Sequence, residues 1–315
     1  MFSTAFINFA ASKGELAALL TAVFWTITAI AFESASKKVG SLSVNLIRLF
    51  LAFVFLSVFG LFTGRGGLPF GASAHQWVWL SVSGLIGFVL GDLFLFQAYV
   101  VVGARISMLI MALAPPIAAL TGWLLMDESM SGKSIAGMVL TFIGISMAIM
   151  GRQEAEPALE GEKIKRKKIG FKFPVRGLLL AFGGAAGQGI GLVLSKYGMG
   201  EYDPFAATQI RVITGVVGFA IIIISVKRVR LVFDAFKNIP AMKRLSLGAF
   251  FGPFLGVSFS LIAIQYTTSG IASTIMSIVP VLIIAPSVII MKEKVTWPEA
   301  IGAVIAVGGV SLFFV

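Results

Sequence analysis

The sequence predicts an all-α polytopic membrane protein, with ten transmembrane helices arranged as two inverted five-helix repeats. Three observations carry this. First, apolar runs of about 20 residues, each long enough to cross the hydrocarbon core as a helix, recur throughout the chain. It has 315 residues, 58% hydrophobic and 12% charged. A soluble protein carries about twice that charge. Second, residues 84–150 lie without a gap on residues 249–315 at a shift of 165. Gly87, Gly91, Ala98, Ile106, Ile110, Met111, Pro115, Glu128, Gly137, Gly144 and Ser146 fall on Gly252, Gly256, Ala263, Ile271, Ile275, Met276, Pro280, Glu293, Gly302, Gly309 and Ser311. Third, each copy holds five spans. Five is odd, so the second copy enters the membrane in the opposite sense, which predicts a pseudo-two-fold axis in the membrane plane.

The spans read in order as 15–32, 42–62, 77–100, 105–126 and 133–150, then 175–195, 205–225, 245–265, 269–291 and 297–314. The first holds Trp25 mid-span and ends at Glu33 and the Lys37–Lys38 pair. The second and seventh carry Arg48 and Arg211 about two turns in, matched at a spacing of 163. The third and eighth carry Gly87-xxx-Gly91 and Gly252-xxx-Gly256, spacings that let helices approach closely. Gly183, Gly187 and Gly191 continue that spacing in the sixth. The fourth and ninth hold Pro115, Pro116 and Pro280, expected to kink them beside a cavity, and end at Glu128 and Glu293. The fifth and tenth are glycine-rich. This gives a first repeat over 1–150, a linker over 151–174 and a second repeat over 175–315.

Charge sets the orientation. Loops after the odd-numbered spans hold 19 of the 25 Lys and Arg residues, and the opposite side holds four, Lys13, Arg65, Lys133 and Lys196. By the positive-inside rule the 19-charge side is cytoplasmic and both termini face outward. The linker is acidic over Glu154–Glu162 and basic over Lys163–Lys168, a cytoplasmic segment suited to lipid headgroups. The net charge of +11 is read the same way, as membrane-facing rather than nucleic-acid binding. No charged segment precedes the first apolar run, so insertion is expected through the first transmembrane helix.

Several chemistries are excluded. The chain has no cysteine and a single histidine, His75, so thiolate catalysis and Cys- or His-rich metal sites are absent. No cofactor is expected. Gly132-Lys133-Ser134 imitates the end of a phosphate loop, but Asp127 stands where its first glycine is required, so no ATP site is encoded.

Leu90–Ser146 shows a small-residue helix, a short turn at Gly103–Ala104, a helix with a central proline, Glu128 and a Gly-rich helix. Tyr266–Ser311 repeats it. This pattern resembles the EamA module of the drug/metabolite transporter superfamily. Trp25 with the Lys37–Lys38 region, and Arg48, resemble features of such a module's first two helices. The resemblance covers nearly all the chain except the linker. It implies a ten-helix, single-chain transporter with a central cavity between inverted halves. Substrates in such families are amino acids, other metabolites, sugar derivatives and drugs, often exported. Small four-helix multidrug relatives carry a key glutamate within the first helix. Here only Glu33 is present, at the span's end, and that role does not carry over to it.

Asp92 is the sharpest single residue. It lies roughly 12 Å from the end of its span at 1.5 Å per residue, where a carboxylate is costly unless it faces a cavity or finds a donor. Its matched position is Val257, so the duplicated fold does not require it. Coupling to protons, contact with a substrate amine, and a hydrogen bond between helices are the three readings. Tyr99 lies seven residues on, on the same helix face. Arg48 and Arg211 either snorkel to headgroups or face inward to hold an anion. Glu128 and Glu293 read as helix-end residues with Lys133, Lys292 and Lys294 near enough to pair. Trp25, Gln97, Gln188, Tyr197, Gln209, Gln265 and Tyr266 complete the candidates, together with Asn45, Ser195, Ser258 and Ser260. For each, helix–helix hydrogen bonding competes with ligand contact.

The reading is a secondary active transporter, an exporter of amino acids or related small metabolites, working by alternating access across the cytoplasmic membrane and possessing no enzyme activity. A monomer with a small-molecule substrate and membrane lipids as its partners is expected. An intramembrane enzyme is the alternative, but one mid-span acid, one histidine and no cysteine supply no catalytic constellation. A channel or scaffold subunit is the other, and no selectivity ring is visible.

Overall fold

The computed structural model describes residues 12–155, 174–282, 284–291 and 295–314, and all regular structure among them is helical. The first copy comprises α1 (Lys13–Val39), α2 (Ser41–Phe62), α3 (Ala74–Gly84), a π-helical segment (Leu85–Gly91), α4 (Asp92–Met111), α5 (Ala114–Met126) and α6 (Gly132–Ala155). The second comprises α7 (Val175–Met199), α8 (Pro204–Ser225), a short α9 (Val229–Phe236), α10 (Ile239–Ala249), a second π-helical segment (Phe250–Gly256) and α11 (Val257–Tyr266). It continues through α12 (Ser269–Met276), α13 (Val279–Leu282), α14 (Ile284–Met291) and α15 (Trp297–Ser311). Five stretches among the described residues are long and apolar enough to cross a membrane: 42–62, 74–95, 175–199, 204–225 and 239–266. Helices over 114–126, 132–148 and 297–311 are apolar but shorter.

The packing repeats as the sequence does. Helix α1 lies along α10, the second π segment and α11, and α7 lies along α3, the first π segment and α4. Exchanging the two copies turns one set of contacts into the other. The same exchange relates α5 on α7 to α13 on α1, and maps α2 on α8 and α6 on α15 onto themselves. The spacing of 163 for the early spans is the register the packing uses. A Cβ on Gly252 would lie 2.8 Å from Thr28, and one on Gly191, the equivalent of Thr28, 2.9 Å from Gly87. Helices α6 and α15 meet at their glycines, Gly137 against Gly309 and Gly144 against Gly302. Sequence number rises along one helix as it falls along the other, so the pair is antiparallel. Two equivalent helices that meet antiparallel require a two-fold axis across them, which is the inverted repeat.

Both copies break at equivalent places. Each π segment occupies the same seven positions of its copy. Each fourth span also breaks after a methionine, at Ala112–Leu113 and at Ser277–Ile278. The prolines therefore begin the next helix piece rather than bend a continuous one. Pro115 and Pro116 stand in the first turn of α5, where a missing N–H costs nothing.

Three local readings change. Helical hydrogen bonding in α4 runs through Gly103–Ala104 to Met111, where a turn was expected. The equivalent of Gly103 is Thr268, whose hydroxyl caps α12 by accepting from Ile271 N. Glycine has no such group, so nothing stops the first copy there. Helix α10 starts at Ile239, several residues early, because Asn238 caps it. The basic loop before it contains the amphipathic α9, which buries Val232 and Ala235. The linker residues 156–173 lie outside the described residues.

The α6–α15 contact generates a test. A Cβ on Gly144 would collide with the Ala306 backbone, whereas one on Gly308 meets nothing within 4 Å. Gly144→Val is expected to destabilise the purified protein by about 1–3 kcal/mol and to lower its unfolding temperature in detergent. Gly308→Val is expected to leave that temperature unchanged.

Candidate functional site

A cavity of about 320 Å³ lies where the two copies meet, within the range used by small-molecule sites. Both π segments reach it through Phe88, Gly252 and Pro253. The two interrupted spans reach it through Met111, Pro115, Met276 and Ser277. Non-helical backbone at membrane depth is tolerated where it lines such a space.

Three charged side chains line the cavity. Asp92, at the first turn after the first π segment, is 6% exposed. Arg48 Nη2 of α2 donates to its Oδ2, and Gln188 Nε2 of α7 donates to its Oδ1 at 3.0 Å. Gln188 also reaches the Gly87 carbonyl at 3.4 Å, one of the groups on the π segment. Arg48 carries its guanidinium 5.5 Å from the Phe32 ring centre. Arg211 of α8 is 5% exposed, with its guanidinium 4.7 Å from the Phe88 ring centre. Gly84 and Gly87 make room for it. A Cβ on the first would lie 2.7 Å from the Arg211 carbonyl oxygen, and one on the second 3.2 Å from Nη2. Apolar side chains complete the lining, among them Leu95, Ile145, Leu192 and Val257, and Trp25 of α1 lies against Gly256.

The structure therefore gathers Asp92, Arg48, Arg211, Trp25 and Gln188 at one place, and adds Ser260. Arg48 and Arg211 face inward and do not snorkel to headgroups. Asp92 is already engaged by Arg48 and Gln188, which answers its burial without a substrate amine. The other candidates stand elsewhere. Gln209 donates to Ser57 Oγ at 2.9 Å and to the Gly67 carbonyl at 2.8 Å, pinning the loop after α2. Gln265 donates to the Gly200 and Tyr202 carbonyls. Tyr197 packs on Trp79 and His75. Tyr266 is exposed beside Lys13, and Gln97 is exposed on α4. Ser195 bonds Ser83 between helices, and Ser258 bonds its own helix. The buried Asn45 leaves its Oδ1 without a partner and does not line the cavity. The Tyr99 side chain and Glu293 lie outside the described part of the chain.

Glu128 does more than end a helix. Asp127 adopts a left-handed conformation (φ 52°) that turns the chain back over α5, and Gly122 leaves space for the carboxylate. Glu128 then pairs with Lys196 of α7 at 2.6 Å, not with Lys133. It also accepts from Ser269 N of α12 at 2.8 Å. Lys196 donates to the Thr267 carbonyl, whose side chain donates to Glu15 of α1. This clasp joins both copies at one end of the bundle. Beside it α5 and α12 touch, since a Cβ on Gly270 would lie 2.8 Å from Ala119 Cβ, while one turn further Ser273 lines the cavity.

Phe88, Met111, Met276, Ser273 and Ser277 also line the cavity and were not singled out as candidates. Met111 and Met276 are a matched pair, so the repeat itself was a usable signal.

Removing one partner of a buried ion pair leaves an uncompensated charge. Asp92→Ala is expected to destabilise the protein by about 3–5 kcal/mol. Adding Arg48→Met is expected to restore part of that loss. Thermal unfolding of the single and double variants measures the coupling.

The EamA-like transporter family matches residues 12–150 and 175–315, one segment per copy. An uncharacterized transporter of Archaeoglobus fulgidus is 31% identical over 122 residues, which is 39% of this chain and 41% of that protein's length. A solved crystal structure is similar over 96% of both chains at a TM-score of 0.69 and 18% identity, a likeness of fold alone. With both copies matched over nearly their full length, the chain belongs to the EamA-like transporter family.

Proposed function

We propose that this protein is a secondary active transporter that exports amino acids or related small metabolites across the cytoplasmic membrane. It is driven by the proton gradient or by the substrate's own gradient, as a monomer and without enzymatic chemistry. The observation that carries the reading is the cavity itself. It lies at the meeting of two inverted copies, is bounded by interrupted helices, and is lined by both charged and apolar groups. That is the arrangement alternating access needs, with one half rocking against the other around a fixed site. Its volume of about 320 Å³ suits a small metabolite rather than a bulky drug. The clasp of Glu128, Lys196 and Ser269 supplies a closure on one face that must open in the other state.

The orientation follows the charge asymmetry, with the clasp outside and the basic loops inside. Export then means loading from the side of α9 and release past Glu128. The lipid contacts are those of the basic loops, including the linker.

Counterflow in proteoliposomes tests the carrier reading. Saturable exchange of labelled amino acids is expected, and a linear, non-saturating flux would replace the carrier with a channel. Topology is read separately, because the chain contains no cysteine. Ser131→Cys is expected to react with a membrane-impermeant maleimide in intact cells, and Arg230→Cys only after permeabilisation. The reverse pattern would invert the orientation.

A further inference from the structure

Arg48 and Arg211 occupy equivalent positions of the two copies, and both line the cavity. Arg48 has its carboxylate, Asp92. The equivalent of Asp92 in the second copy is Val257, which also lines the cavity. Arg211 therefore stands where the repeat provides a cation and withholds its anion. Among the described residues it makes no hydrogen bond or ion pair. Its Nε, like that of Arg48, is buried without a partner, its guanidinium lies over the face of Phe88, and Asp92 attracts it without a hydrogen bond. Counting the charged groups that line the cavity, two arginines face one aspartate, so the lining carries one uncompensated positive charge. An unpaired buried cation in an apolar bundle is costly.

Resting on the carrier reading above, we propose that Arg211 is the receptor for the substrate's carboxylate. The transported molecule is a small carboxylic acid with an apolar body. Its carboxylate takes the place that Asp92 takes in the first copy, and its body lies against Leu95, Leu192 and Val257. A planar guanidinium binds a carboxylate through two parallel hydrogen bonds, which also fixes the orientation of the bound molecule. An amide of the same shape cannot neutralise it.

The test uses the full chain in detergent and in proteoliposomes. The probes are leucine, its deaminated acid, leucinamide and the corresponding decarboxylated amine. Both acids are expected to raise the unfolding temperature and to exchange in counterflow, and the amide and amine to do neither. Arg211→Gln is expected to weaken the effect of the acids by about ten- to a hundredfold, as loss of a charged hydrogen-bond partner does. Arg211→Lys is expected to recover part of it. Val257→Asp supplies the missing carboxylate from within. It is expected to fold at least as stably as Val257→Asn and to lose the response to acids. Equal effects of acid and amide, retained acid response in Arg211→Gln, or no response to either acid would overturn the proposal. Exchange of the amide or amine alone would overturn it while leaving the carrier reading intact.

Discussion

A charged side chain inside an apolar bundle must be answered by its opposite, and this requirement shapes the centre of the molecule. Asp92 draws Arg48 from α2 and Gln188 from α7 to one point, so three spans are tied together by a single carboxylate. The helices can reach that point because their contact surfaces are stripped to glycine. Gly187 and Gly191 pass Gly91 and Gly87 almost backbone to backbone. The π segments finish the task by widening the helix one residue before Asp92 and Val257, which re-aims these side chains into the space between the copies. Without the polar cluster the close packing would have no centre. Without the glycines the cluster could not assemble.

The architecture was largely legible in the sequence because duplication is a pattern that single residues cannot imitate. A shift of 165 exposed the copies, and an odd span number made them inverted. Membrane-buried charge was equally legible. Asp92, Arg48 and Arg211 stand out because hydrocarbon tolerates so few charges, and all three meet at the cavity. Uncharged polar residues were a weaker guide. Gln188 and Gln209 look alike in sequence, yet one faces the cavity and the other holds a loop. Which face of a helix a glutamine presents depends on packing that composition does not encode. The apolar lining was harder still, since Phe88 or Met111 in an apolar span has no contrast with its neighbours.

Matched positions do more than hold helices together, since Met111 and Met276 line the cavity from both copies. Symmetry supplies the shape of the space. The arginines are matched too, so the departure of Asp92 against Val257 supplies the imbalance of its charge. Glu128 adds a further lesson. Its partner Lys196 is 68 positions away and in the other copy, a pairing that only the folded arrangement discloses.

That pairing distinguishes the two faces of the protein. At the spacing of 163 that the packing uses, the residue equivalent to Lys196 is Glu33, and the residue equivalent to Glu128 is Glu293. By sequence, the counterpart of this acid–base pair is therefore a pair of acids. The halves can trade shapes, but they cannot trade fastenings. For a carrier that alternates as proposed above, the two closed forms would differ in free energy, and the molecule would behave as a balance with unequal arms, tilted toward one side before any cargo arrives.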